Sequence, residues 1–262
     1  MNILFIGDIF GRPGRDIVKA IVPKLRDKYA IDFCIANAEN AAAGKGLTPD
    51  LVKELLAAQL DVLTGGNHIW HKKELIPIMD TEPRLIRPLN LPLGAPGYGS
   101  GIFTIQEKYR IAVVQLVGRV YLNCVDCPFQ VIKRELARLK QQTNLIIIDM
   151  HAEATSEKVA MGWYLDGEVS AVLGTHTHVQ TADERILPKG TAYITDVGMT
   201  GPHDSVIGVK KEIILKMFLT QLPVTHEVAT DNVKLHAIVV SLDENTGKAN
   251  NIIRLSIGSN PK

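Results

Sequence analysis

The feature that most constrains this chain is a recurring pattern: a short apolar run that stops abruptly on polar residues. Asn2 to Ile6 stops on Gly7-Asp8, Asp32 to Ala36 on Asn37-Ala38-Glu39-Asn40, and Asp61 to Thr64 on Gly65-Gly66-Asn67-His68. Asn144 to Ile148 stops on Asp149-Met150-His151-Ala152-Glu153, and Val169 to Gly174 leads into Thr175-His176-Thr177-His178. Runs this short, without polar alternation, read as strands buried on both faces. Helix-like segments separate them. Arg15 to Tyr29 carries Ile17, Ile21 and Leu25 at four-residue spacing, with Pro23 as a kink. Thr48-Pro49-Asp50 is a helix start with Thr48 as N-cap, and Leu51, Leu55 and Leu56 face the core. Pro128 to Gln142 turns Val131, Leu136 and Leu139 inward, and Ser156 to Tyr164 and Lys211 to Leu222 are also helical. This alternation predicts an α/β fold with a largely parallel sheet.

The remaining segments fit around that frame. Gly11-Arg12-Pro13-Gly14 reads as a turn, and the proline- and glycine-rich stretch from Pro83 to Gly101 as a long loop over a site. Gly101 to Gln106 and Arg110 to Val117 form a strand pair, as do Lys234 to Leu242 and Ala249 to Ile257. Thr191 to Thr195 is a further strand. With 262 residues, no repeat and no clear linker, a single domain over residues 1–262 is expected. The formal charge of +1 gives no footprint for a stable nucleic-acid partner. No apolar run is long enough to span a bilayer, and the start lacks the look of a signal peptide, so a cytoplasmic protein without a membrane partner is expected. The three cysteines argue against a disulfide framework. Cys124-x-x-Cys127 lacks the second pair of a zinc site and reads as two reduced thiols near a helix start, or as a redox motif.

The chemistry lies at the strand ends, where open α/β sheets gather ligands. Asp8, Glu39 with Asn40, Asn67 with His68, His151, and His176 with His178 occupy five such ends. Singly each has a plain reading: a helix cap, a turn residue, a core histidine, two surface histidines on a turn. If His176 and His178 still belong to a strand, both imidazoles point the same way. Two carboxylates, two amides and three histidines exceed the needs of one ion. They suit a pair of divalent ions about 3.5–4 Å apart with a bridging carboxylate. Mixed oxygen and nitrogen donors without thiolate favour Fe, Mn or Zn over Ca. His68, one residue past Asn67, is a candidate acid or base. Lys45 and Arg12 are candidates to hold phosphate charge, and His71 and His203 to line the pocket rim. Thr200 to Pro202 is either a plain turn or a backbone wall of the site.

These motifs resemble those of the calcineurin-like metallophosphoesterases: G-D-x-H, G-D-x-x-D, G-N-H-[DE], a lone His, and G-H-x-H. Here they stand as Gly7-Asp8-Ile9-Phe10, Ala38-Glu39-Asn40, Gly66-Asn67-His68, His151 and Thr175-His176-Thr177-His178. Phe10 replaces a metal-binding His, Glu39 replaces the bridging Asp, and Asn40 can supply the ligand lost at Phe10. With Asn-Ala-Glu-Asn-Ala-Ala-Ala-Gly-Lys-Gly and Gly-Met-Thr-Gly-Pro, the chain is similar to the YmdB-like branch essentially end to end. The resemblance implies a four-layer α/β/β/α metallophosphoesterase sandwich. It implies two divalent or mixed-valence transition-metal ions, iron first and manganese or zinc as alternatives. Asp8, Glu39, Asn40 and His178 would hold one ion; Glu39, Asn67, His151 and His176 would hold the other; His68 would be the proton donor. The implied protein is a cytoplasmic homo-oligomer that hydrolyses small-molecule phosphodiesters, 2′,3′-cyclic nucleotides, by in-line attack of a metal-activated hydroxide. A phosphomonoesterase with the same centre, or a metal-stabilised regulatory protein, is the alternative.

Overall fold

The run at Asn2–Ile6 forms strand β1, and Ile3, Leu4, Phe5 and Ile6 are fully buried. In the computed structural model, which describes residues 1–259, the chain continues through β2 (Asp8–Ile9), α1 (Gly11–Tyr29), β3 (Phe33–Asn37), α2 (Pro49–Ala57), β4 (Val62–Thr64) and β5 (Leu85–Ile86). β6 (Ser100–Ile105), β7 (Tyr109–Val117), α3 (Pro128–Leu139), β8 (Leu145–His151), α4 (Thr155–Tyr164) and β9 (Ala171–Thr175) follow. Then come β10 (Arg185–Ile186), β11 (Ala192–Ile194), β12 (Met199–Pro202), α5 (Lys211–Thr220), β13 (Val233–Leu242) and β14 (Ala249–Gly258). The last three residues of the expected 1–262 domain lie outside the described residues.

The strands form two sheets, as the family resemblance implies, where strand–helix alternation alone pointed only to a largely parallel sheet. The first runs β2-β12-β13-β1-β3-β4-β5, with β14 also on β13; the second runs β10-β11-β9-β8-β7-β6. The predicted parallel pairing holds at their centres, through β1, β3, β4 and β5 and through β7, β8, β9 and β11. The hairpins β6–β7 and β13–β14 pair antiparallel, as short connections require.

Side chains alternate along a strand, and β1 shows the consequence. Leu4 and Ile6 join Ile17, Val18 and Ile21 of α1 in one apolar cluster. Ile3 and Phe5 point the other way, into a cluster shared with Ile111, Val113 and Ile147 of the second sheet. On that sheet's far side Ile146 and Ile148 meet Ile132 and Leu136 of α3 and Met161 of α4. Both faces of β1 and β8 are therefore covered, which explains why their sequences lack polar alternation. Each such Ile or Leu contributes roughly 1.5–3 kcal/mol by leaving water.

Several local expectations change. The Gly11–Gly14 stretch forms the first turn of α1, which runs on through Pro23. Gly14 is needed there, because a Cβ would lie 2.3 Å from the Thr200 carbonyl oxygen. In α3 the inward position is Ile132 rather than Val131. Thr48 caps α2 as predicted, accepting from Leu51 N at 3.4 Å. Thr200 to Pro202 belongs to β12 and pairs with β13, so it is neither a turn nor a free backbone wall. The Pro83–Gly101 stretch contains β5 and is folded on itself by Arg87, which donates to the carbonyls of Pro88, Ala95 and Pro96. No helix among the described residues is long and apolar enough to cross a membrane.

Candidate metal centre

The strand ends of the two sheets meet at one buried cluster. Asp8 lies in β2, Glu39 and Asn40 follow β3, and Asn67 follows β4; Asp8, Glu39 and Asn40 are essentially inaccessible to solvent. The Glu39 amide donates to Asn37 Oδ1 at 3.2 Å, a local turn that aims the carboxylate inward. Glu39 Oε2 accepts from the His68 backbone N–H at 2.8 Å. Gly66 completes this cradle, since a Cβ there would stand 2.1 Å from Glu39 Oε2 and 2.6 Å from His151 Nε2.

The second sheet supplies the histidines. His151 ends β8, its Nε2 lying 3.2 Å from Glu39 Oε1 and 2.9 Å from Asn67 Oδ1. His176 and His178 lie beyond the end of β9, with φ of 102° and 65°. They are not extended, so the same-side expectation fails and their rings diverge. His176 Nδ1 stands 3.0 Å from His151 Nε2, while its Nε2 is 3.1 Å from Glu153 Oε2. His178 Nε2 lies 3.1 Å from Asn40 Nδ2 and 3.8 Å from Asp8 Oδ1, and its Nδ1 is 3.0 Å from the Ile207 carbonyl oxygen. The residue between them sets this divergence. Thr177 donates its N–H and hydroxyl to Asp196 Oδ2 at 3.0 and 2.7 Å, and Lys158 Nζ donates to the same oxygen at 2.6 Å. Lys158 and Asp196 are both buried.

The donor set fits a cation. Ligand atoms of Glu39, His151 and His176 all lie within 4.8 Å of one another. Two imidazole nitrogens 3.0 Å apart, with a carboxylate and an amide oxygen aimed between them, need a positive charge at their common point. Asp8 Oδ1 is buried and has no hydrogen-bond partner among the described residues, which is costly unless something binds it. The ring orientation fits too. Thr175 Oγ1 donates to Asp149 Oδ1 at 2.6 Å and so accepts from His151 Nδ1 at 2.9 Å, which turns Nε2 toward the cluster.

Burial and close charge perturb these groups strongly, as functional sites do. Burial raises Asp8 above the usual carboxylate range. Burial opposes ionisation of Glu39 as well, yet His151 and His68 beside it hold it well below that range. Burial would lower His151, but Glu39, Asp8 and Asp149 keep it up at about 9. Burial, with His151 adjacent, pushes His176 down to about 3.

Other candidates divide. His68 Nδ1 lies 2.9 Å from Asn40 Oδ1 and 3.1 Å from Glu39 Oε1, and among the described residues Nε2 has no hydrogen-bond partner. His71 meets the His68 ring edge-on at 5.0 Å between centroids. Lys45 lines a cavity of about 680 Å³ that also exposes Asn40, His68 and His178. Arg12 is not brought to the site; it is exposed on α1 and lies 3.5 Å from Asp16. His203 packs against His236 and donates no ligand to the cluster; its Nδ1 is 2.9 Å from the Gly201 carbonyl oxygen. Cys124 and Cys127 are free thiols, Cys127 at the start of α3. A larger groove of about 860 Å³ runs along α1 and holds none of the metal-facing side chains.

Residue-by-residue reading missed the supporting layer. Asp149 Oδ2 accepts from Thr64 Oγ1 at 2.5 Å and Asn37 Nδ2 at 3.1 Å, and burial pushes its carboxyl up to about 6. Its spacing from His151 was the available signal, because residues two apart on a strand share a face.

The chain matches the YmdB-like protein family over residues 4–255. It is 52% identical over 257 residues to a protein of Bacillus subtilis (strain 168) named 2′,3′-cyclic-nucleotide 2′-phosphodiesterase, covering 98% of this chain and 97% of that one. A Thermus thermophilus protein described as hypothetical superposes with a TM-score of 0.92 at 41% identity, covering 98% and 99%. A Mycoplasma pneumoniae protein described as a novel phosphatase superposes with a TM-score of 0.93 at 38% identity, covering 98% and 93%.

Proposed function

The chain belongs to the YmdB-like protein family, and on that premise we propose that it is a metal-dependent phosphodiesterase acting on 2′,3′-cyclic nucleotides. The observation that carries the reading is the convergence of Glu39, Asn67, His151 and His176 beside the partnerless Asp8 oxygen. In this reading Asp8, Glu39, Asn40 and His178 would hold one transition-metal ion, and Glu39, Asn67, His151 and His176 would hold a second, iron first. Glu39 would serve both, since its Oε1 lies 3.4 Å from Asn40 Nδ2 on one side and 3.2 Å from His151 Nε2 on the other. When bound, such ions polarise the phosphoryl oxygens and lower the pKa of water. The three apolar clusters support the four-layer α/β/β/α arrangement as the frame.

The chain's own residues then orient the ester and move a proton. With Nδ1 of His68 turned to Asn40, Nε2 is the nitrogen left to face substrate. Water attacks phosphorus in line with the P–O2′ bond. That bond breaks, and the departing ribose oxygen takes a proton from His68 Nε2, leaving a nucleoside 3′-phosphate; the proton shed by the water restores the ring. No covalent nucleophile is needed. Cys34 is buried in the α1-side core, where burial pushes its thiol up.

Metal analysis of protein purified without chelator tests this. Two ions per chain are expected, with turnover lost on chelation, restored by Mn or Fe, and circular dichroism largely unchanged. Turnover that survives complete chelation, or a fold that collapses with metal loss, would overturn it. Faster turnover of a phosphomonoester than of the cyclic diester would favour the monoesterase instead.

A further inference from the structure

The proposed reaction fixes where the nucleoside lies. A proton donor must come within hydrogen-bond reach of the departing oxygen, so the ribose occupies the side of the cluster that exposes His68. That side opens into the cavity of about 680 Å³, within the ~300–1,000 Å³ typical of ligand pockets. Its far wall is apolar: Val206, Ile207, Ile214, Met217 and Phe218 all face the opening. Ile207 is 55% exposed and Phe218 is 73% exposed, large apolar side chains without protein cover beside a polar catalytic cluster.

The wall is fixed in place. Ile214 and Met217 of α5 pack with Phe10, Val209 and Val228 in a small cluster of their own. Phe10 meets the His178 ring edge-on at 5.5 Å between centroids. The segment is braced by Lys210, whose N–H donates to the Glu227 carbonyl at 2.9 Å and whose Nζ donates to the Glu227 carboxylate at 2.6 Å. So Phe10, which stands where related motifs carry a histidine, links the metal-facing loop to α5.

We propose that Met217 and Phe218 of α5 form the nucleobase subsite, which holds the base as an apolar plane and does not read its edge. This rests on the phosphodiesterase reading. Of the polar side chains that line the cavity, Asn40 lies between His68 and His178 and Glu227 is paired with Lys210, while Lys45, His71, Lys72 and His226 lie on segments outside α5. Stacking tolerates every base, because each has a π-face.

The test compares a 2′,3′-cyclic nucleotide with 1-O-methylribose 2′,3′-cyclic phosphate, which lacks a base. Metal-loaded wild type should prefer the nucleotide in kcat/KM, and the four bases should fall within about 10-fold of one another. Phe218→Ala should raise KM for the nucleotide about 5- to 10-fold, the low end for a base–aromatic stack, and shrink the preference equally. Leu219→Ala removes a neighbouring exposed side chain that does not line the cavity, and should leave both turnovers unchanged. Calorimetric binding of nucleoside 3′-phosphate to the same proteins needs no turnover, and Phe218→Ala should weaken it similarly. If wild type hydrolyses neither ester, the phosphodiesterase reading fails by itself. Unaltered 3′-phosphate binding in Phe218→Ala, equal losses on both esters, or a 100-fold preference for one base overturns the subsite.

Discussion

The two sheets bring different chemistry to one cluster. The first delivers Asp8 from β2 and Glu39, Asn40 and Asn67 from the loops after β3 and β4, side chains that carry oxygen; the second delivers His151, His176 and His178, which offer nitrogen. Their support differs in kind. The carboxylates are held by backbone N–H groups, Glu39 by His68 N and Asp8 by His176 N at 3.1 Å. The histidines are held by buried acids, His151 through Thr175 to Asp149, and the His176–His178 turn through Thr177 to Asp196. The physical reason is that a carboxylate offers equivalent oxygens over a wide arc. An imidazole must present one chosen nitrogen in one plane, and only an outer partner can fix that choice.

The largest expected effect comes from the oxygen side. Glu39→Gln keeps shape and removes the charge that lies between both proposed ion sites. We expect metal affinity to fall by more than the roughly 100-fold upper cost of an outer-shell change, with turnover lost alongside. Atomic absorption on the purified variant checks it. Full occupancy with normal turnover would mean that Glu39 is not shared between two ions.

His68 belongs to the same side yet is expected to act on the proton alone. His68→Ala should retain both ions and lose roughly 10²–10⁴-fold in rate on 2′,3′-cyclic nucleotides. The loss should be smaller on a p-nitrophenyl diester, whose leaving group departs without an acid. Equal losses on the two substrates would argue against a proton donor, and depleted metal would move His68 among the ligands.

The contrast between the sides also explains what the sequence conveyed. Runs such as Leu145–Ile148 announce strands because both faces are buried, and the polar residues that end them do converge. Which sheet a strand joins is not local information, so the division into two sheets was invisible to strand–helix alternation. Alternation also misled at His176-Thr177-His178, because side-chain direction there follows from the bonds between Thr177 and Asp196 and not from a strand. Arg12 looked like a loop residue near the site but lies on the exposed face of α1. Lys158 did carry a signal. It shares a helical stripe with Met161 and Leu165, both buried, although a lysine in a helix ordinarily reads as surface.

Lys158 gives the sharpest test of the nitrogen side, with the smallest effect on rate. Lys158→Met removes one partner of a buried pair and leaves the Asp196 carboxylate buried without its counter-charge, which costs about 3–5 kcal/mol. Thr177 and Gly198 still donate to Asp196, so the turn keeps its bonds and the histidines their directions. Melting should therefore shift strongly while metal affinity falls only about 10-fold, the low end for outer-shell partners, with kcat at saturating metal near normal. Adding Asp196→Asn separates charge from position. The double variant buries no lone charge, so stability should partly return. Its amide offers one oxygen, and its NH₂ group opposes a donor that the carboxylate had accepted, so metal affinity should fall further. If stability and metal affinity recovered together in the double variant, Asp196 would be only a charge partner of Lys158, and the fixed divergence of His176 and His178 would need another cause.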